Sequence, residues 1–150
     1  MPWVTGAVLT AGQLDLYAPQ AWSAWTPALT GTTNPVINNG TATGRYIQYG
    51  KTVIFTAKIT FGSTSTFGSG LWFISLPVAR AAGGVVRADF FYEDASASNR
   101  YRGYNYGGTT TTLGIAYDDG GAVAIAVTPI LPFTWTTSDF IEVSGTYEVP

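Results

Sequence analysis

The sequence predicts an all-β protein: an antiparallel β-sandwich or jelly roll of about eight strands, preceded by a short N-terminal arm with one short helix. Three observations predict it. Aromatic residues make up 15% of the 150-residue chain, which also holds 18 glycines and many threonines. That composition suits pleated strands and tight turns. Several stretches alternate apolar and polar residues with a period of two, and clusters of Gly, Asp, Asn and Ser separate them. The length fits one domain that buries about two-thirds of its unfolded surface.

Residues 1–30 differ from the remainder and are expected to form the arm, with the head domain over 31–150. Thr10-Ala11-Gly12-Gln13 matches a capping box, in which the Thr10 hydroxyl accepts from the Gln13 N–H and Gln13 reaches back. Leu9 and Leu14 stand where a hydrophobic staple would close over that cap. The predicted helix runs from Ala11 to Ala18 and stops at Pro19. So short a helix needs a surface to dock on. Trp3, Trp22 and Trp25, three of the five tryptophans, flank it and give the arm a large apolar surface.

The head begins with a predicted strand over Thr41–Tyr49, a bend at Gly50-Lys51 and a second strand over Lys51–Phe61. In the second, Val53, Phe55, Ala57, Ile59 and Phe61 share the core face, while Thr52, Ile54, Thr56, Lys58 and Thr60 share the other. Gly62–Gly70 reads as a Ser/Thr/Gly loop. Leu71–Leu76, apolar on both sides and ended by Pro77, reads as a doubly covered strand. Further strands are expected at Val85–Tyr92, Arg100–Tyr106, Thr112–Tyr117, Ala122–Thr128 and Phe140–Val149, with a hairpin turn at Asp118-Asp119-Gly120-Gly121.

Composition also narrows the chemistry. The formal net charge of −2 argues against a nucleic-acid partner, which calls for a basic stripe. There is no cysteine for a disulfide or thiolate metal site, and no histidine as general base or ligand. The longest apolar run, Ala122–Val127, is too short to span a bilayer, and no secretion signal is recognised. Gly50-Lys51 lacks the glycine spacing and following helix of a phosphate loop. Asp118 and Asp119 with Glu93 and Asp94 offer carboxylates for Ca²⁺, but Asp-Gly turns use the same residues. The expectation is a non-enzyme with no metal and no cofactor. Charged residues form only 11% of the chain, against about 25% in a typical protein. A surface so poor in charge suggests cover by a neighbouring subunit, with Thr52, Ile54, Thr56 and Lys58 as interface candidates. In Arg100-Tyr101-Arg102-Gly103-Tyr104-Asn105-Tyr106, a strand places Arg100, Arg102, Tyr104 and Tyr106 on one side. These side chains suit either a sugar ring or a protein interface, and both readings stay open.

The N-terminal Trp3-Val4-Thr5-Gly6-Ala7-Val8-Leu9-Thr10-Ala11-Gly12-Gln13-Leu14 resembles a G-x-V-L-T-A-x-x-L-N segment of phage tail fibre and minor tail proteins, with Asp15 where Asn is common. The body is similar to C-terminal domains of minor tail proteins from phages of actinobacteria. That similarity rests on Trp25-Thr26-Pro27, Asn39-Gly40-Thr41, Gly44-Arg45-Tyr46, Gly50-Lys51-Thr52-Val53, Phe67-Gly68-Ser69-Gly70 and residues Thr137 to Glu148. The resemblance implies a virion structural protein, made in the host cytoplasm and built into the particle as a homotrimer. Trp3, Val8, Leu9, Leu14, Trp22 and Trp25 would attach it to other virion proteins, and the head would meet the host surface. With an arm and no long shaft, a capsid decoration protein is the near alternative. A carbohydrate-binding module, with a host cell-surface glycan as partner, is a further one.

Overall fold

A computed structural model describes residues 8, 10–12, 21–121 and 123–150. The fold is all-β. Ten strands run β1 Ser23–Trp25, β2 Leu29–Thr30, β3 Thr41–Tyr49, β4 Thr52–Thr60, β5 Phe73–Ser75, β6 Val86–Asp94, β7 Asn99–Gly108, β8 Thr112–Tyr117, β9 Ile125–Ala126 and β10 Phe140–Glu148. All pair antiparallel along the path β1-β3-β4-β10-β6-β7-β8-β5-β2, with β9 added to β8. β1 and β2 stand at opposite ends of that path although only Thr26, Pro27 and Ala28 separate them. Four residue steps reach at most about 14 Å. The sheet therefore curls back on itself into a sandwich-like form, with its two ends close together.

The core lies inside this curl. β4 contributes Val53, Phe55, Ala57 and Ile59, β6 contributes Val86, Ala88, Phe90 and Tyr92, and β10 contributes Ile141, Val143 and Tyr147. From the other side come Leu113, Ile115 and Tyr117 of β8 and Trp72 and Ile74 of the β5 region. Trp72, Phe61 and Trp135 meet with ring centroids 5.2–5.7 Å apart, and Tyr92 meets Trp135 edge-on at 6.1 Å. These rings tie the two layers together at the spacing aromatic pairs prefer.

Turns behave as their residues dictate. Tyr49 pairs with Thr52, so Gly50-Lys51 is a two-residue hairpin loop. Gly50 supplies a φ of +56° at the first position, as a primed turn requires. The β8–β9 connection is held by Asp118 and Asp119, whose Oδ1 atoms accept from the N–H groups of Gly120 and Gly121. Asp139, fully buried, accepts from the N–H of Ala95 at 2.9 Å, the N–H of Thr136 at 2.6 Å and the Thr136 hydroxyl at 3.2 Å. One carboxylate thus joins the β6–β7 turn to the entry of β10 and satisfies three donors in a dry site.

Some expectations need revision. Residues 23–30, assigned to the arm on the sequence, pair into the sheet as β1 and β2, which raises the strand number to ten. The expected Ala122–Thr128 strand shortens to Ile125–Ala126 paired with β8, followed by Val127 bonded to Ile115 and Trp72 and an isolated bridge from Thr128 to Leu131. Val123 is exposed, and Ala122 lies outside the described residues. Leu71–Leu76 shrinks to Phe73–Ser75 and is covered on one side: Trp72, Ile74 and Leu76 are buried, while Leu71 is half-exposed. Ala11 and Gly12 are helical, and the rest of the predicted helix, with Trp3, Leu9 and Leu14, lies outside the described residues. Val8 is exposed.

Candidate functional site: the outer face of the five-stranded layer

Strands β3, β4, β10, β6 and β7 alternate faces in register, so their outward side chains align in rows across the sheet. One row holds Thr41, Thr60, Phe140, Glu93 and Arg100. The next holds Thr43, Lys58, Glu142, Phe91 and Arg102, and the third Arg45, Thr56, Ser144, Asp89 and Tyr104. Beyond these lie Ile47, Ile54, Thr146 and Arg87. This one face carries Arg45, Lys58, Arg87, Arg100 and Arg102, five of the chain's seven Lys and Arg residues. Against them stand Asp89, Glu93, Glu142 and Glu148, so the face carries charges of both signs in near balance.

The second row and, apart from Tyr104, the third form the floor of an open groove of about 840 Å³ that crosses all five strands. At its centre Lys58 Nζ donates to Glu142 Oε1 at 2.9 Å and sits 3.6 Å from the Phe140 ring centroid. Both charged side chains are nearly half-exposed, which limits the ion pair to about 1 kcal/mol or less. Beside the groove Arg100 Nε donates to Glu93 Oε2 at 3.1 Å and lies over Phe91 at 5.7 Å. Arg45 stacks on Trp22 at 4.9 Å. Arg102 and Asp89 make no side-chain hydrogen bond or ion pair with any described residue. The groove thus combines paired charges that stiffen its floor with unpaired donors and acceptors that face solvent.

Next to the groove the same face turns apolar. Trp22, Tyr49 and Ile54 are each 42–46% exposed around Ile47, which is buried although it belongs to no part of the central core. This corner sits at the β3–β4 hairpin and beside β1, where the chain enters the sheet.

The structure brings together residues that the sequence suggested separately. Arg100, Arg102 and Tyr104 from β7 and Thr52, Ile54, Thr56 and Lys58 from β4 occupy one face. Thr56, Lys58 and Arg102 line the groove; Ile54 belongs to the apolar corner, and Thr52 lies beside it. Tyr106 separates from the other three because the pairing register shifts between Asn105 and Gly108. It lines a second, apolar depression of about 220 Å³ with Leu71, Phe73 and Ala126. Trp25 is half-buried and packs edge-on against Phe55 at 6.1 Å, as part of the head. Gly44 lies beneath it: a Cβ there would come within 2.5 Å of the indole. Among the described residues no group of three or more carboxylates is placed to hold a metal ion.

Sequence reasoning missed Arg45, Asp89, Glu142 and Ser144. A signal was present in β6, where Arg87, Asp89, Phe91 and Glu93 alternate with Val86, Ala88, Phe90 and Tyr92. What the sequence lacks is the strand order that sets β10 between β4 and β6. No protein-family model, curated protein or solved structure matches the chain.

Proposed function

We propose that this chain is a non-enzymatic phage virion protein, a homotrimer held to the particle through its N-terminal segment with the β-sandwich head presented outward to the host surface. The observation that supports this reading most is where the residues carrying the tail-protein resemblance fall. Trp25 covers Gly44, Gly50 makes the β3–β4 turn, Phe67 packs on Phe61 at 5.0 Å, and Asp139 ties β10 to the β6–β7 turn. Asn39 Oδ1 accepts from the N–H and hydroxyl of Thr64. The resemblance therefore follows one continuous head scaffold rather than a scatter of loops. The lack of His and Cys in the sequence supports a non-catalytic role.

The apolar corner of Trp22, Tyr49 and Ile54 is the natural place for a neighbouring subunit or virion protein. Burying such residues is favourable by roughly 25 cal/mol per Å². Light scattering on the full chain is expected to give three times the 15.9 kDa chain mass. Ile54→Arg should shift that mass toward the monomer. A wild-type chain that stays monomeric at micromolar concentration and does not bind purified particles overturns the proposal.

A further inference from the structure

We infer that the groove across β3, β4, β10, β6 and β7 is a glycan site, which takes a strand of uncharged, polyhydroxylated sugar rings laid across the strands. The inference deepens the host-facing role proposed above and rests on that reading for its biological setting, but its chemistry stands on the groove alone. Four inter-strand steps of roughly 4.8 Å give a cleft about 19 Å long, enough for several linked rings. The cavity is large and open, whereas a compact cofactor calls for an enclosed apolar pocket.

Its lining decides the class of ligand. Asp89 accepts and Arg102 donates; neither has a partner among the described residues, and they lie on adjacent rows of the neighbouring strands β6 and β7. A free carboxylate beside a free guanidinium matches the paired donor and acceptor roles of neighbouring sugar hydroxyls. Tyr104 stands directly opposite Asp89, exposed at the rim of the groove, while Ser144 and Thr56 continue the same row with hydroxyls in its lining. Lys58 is already neutralised by Glu142. Charges of both signs disfavour a strongly anionic polymer, which would meet Asp89 and Glu142, and they disfavour a protein interface core, where charged residues are depleted.

The test uses the full-length chain, an immobilised array of neutral hexose and pentose oligomers from one ring upward, and carboxylate- and sulfate-bearing oligomers alongside. Hits are titrated by calorimetry. The expected result is saturable binding of at least one neutral oligomer that strengthens with length. Arg102→Gln and Asp89→Asn should each weaken it about tenfold, the loss of one hydrogen-bonded group. Both variants should keep the wild-type circular dichroism, melting temperature and oligomeric mass. No saturable binding to any neutral oligomer, binding confined to the anionic ones, or binding that both variants leave unchanged overturns the inference. Because these positions lie in the groove and away from the apolar corner, failure here with an intact trimer on particles refutes the glycan site and leaves the virion role standing. Loss of trimer and particle binding in the wild type refutes that role instead.

Discussion

Tyr147 shows how one side chain can carry a pH limit for the whole molecule. Its ring packs edge-on against Phe55 at 5.7 Å, and its hydroxyl donates to the Val78 carbonyl at 2.8 Å while accepting from the Val78 N–H at 3.2 Å. Burial pushes its pKa up to about 12, with Tyr46 adding to the rise and the Val78 hydrogen bond opposing it. Below a pH of roughly 10, the ordinary tyrosine value, folded and unfolded chains both hold the proton and stability is flat. From there to about 12 only the folded chain keeps it, so stability falls with rising pH, by up to about 2–3 kcal/mol in all. Urea midpoints measured from neutral to alkaline pH should fall more steeply for the wild type than for Tyr147→Phe. Parallel slopes would remove Tyr147 from the account. Burial also raises Tyr92 and Tyr117, which sets the alkaline dependence that remains in the variant. At this scale the sequence reveals identities but not partners. Arg102 was legible as a candidate from the spacing in its own strand; Asp89 was not, because its value depends on which residues stand across from it.

Elements were legible wherever a strand follows its local pattern. β3 and β8 occupy the ranges their alternation predicts, and β4, β6 and β10 fall within one or two residues. β5 and β9 are shorter than their apolar runs suggest, because an apolar run does not say how far a partner strand extends. β1 escaped notice because three residues carry too little pattern to read, and its partner β3 starts sixteen residues after it ends. What holds β1 in place is the close fit of Trp25 over Gly44, in register with each other. Gly44→Val should push the indole away and loosen this edge while the ring cluster of Trp72, Phe61 and Trp135 stays intact. Hydrogen exchange is expected to quicken at Ser23–Trp25 and in the neighbouring part of β3, with protection in β10 unchanged. Uniform loss of protection across the sheet, or none, would count against a locally docked strand.

For the molecule as a whole, one outer face of the curled sheet carries two different surfaces side by side. That face gathers most of the chain's cations, three of them in the polar groove, and the apolar corner sits where the chain enters the sheet. The all-β class was legible from composition and alternation. The strand order was not: β10, the last strand, lies between β4 and β6, a long-range pairing with no local signature. In the proposed assembly three heads pack at their apolar corners and hold their grooves outward. Image reconstruction of particles purified with and without this chain tests that account most directly. The account predicts three-fold density, sized for three heads, that projects from the particle and disappears when the chain is absent. Particles that are identical with and without it would contradict the account.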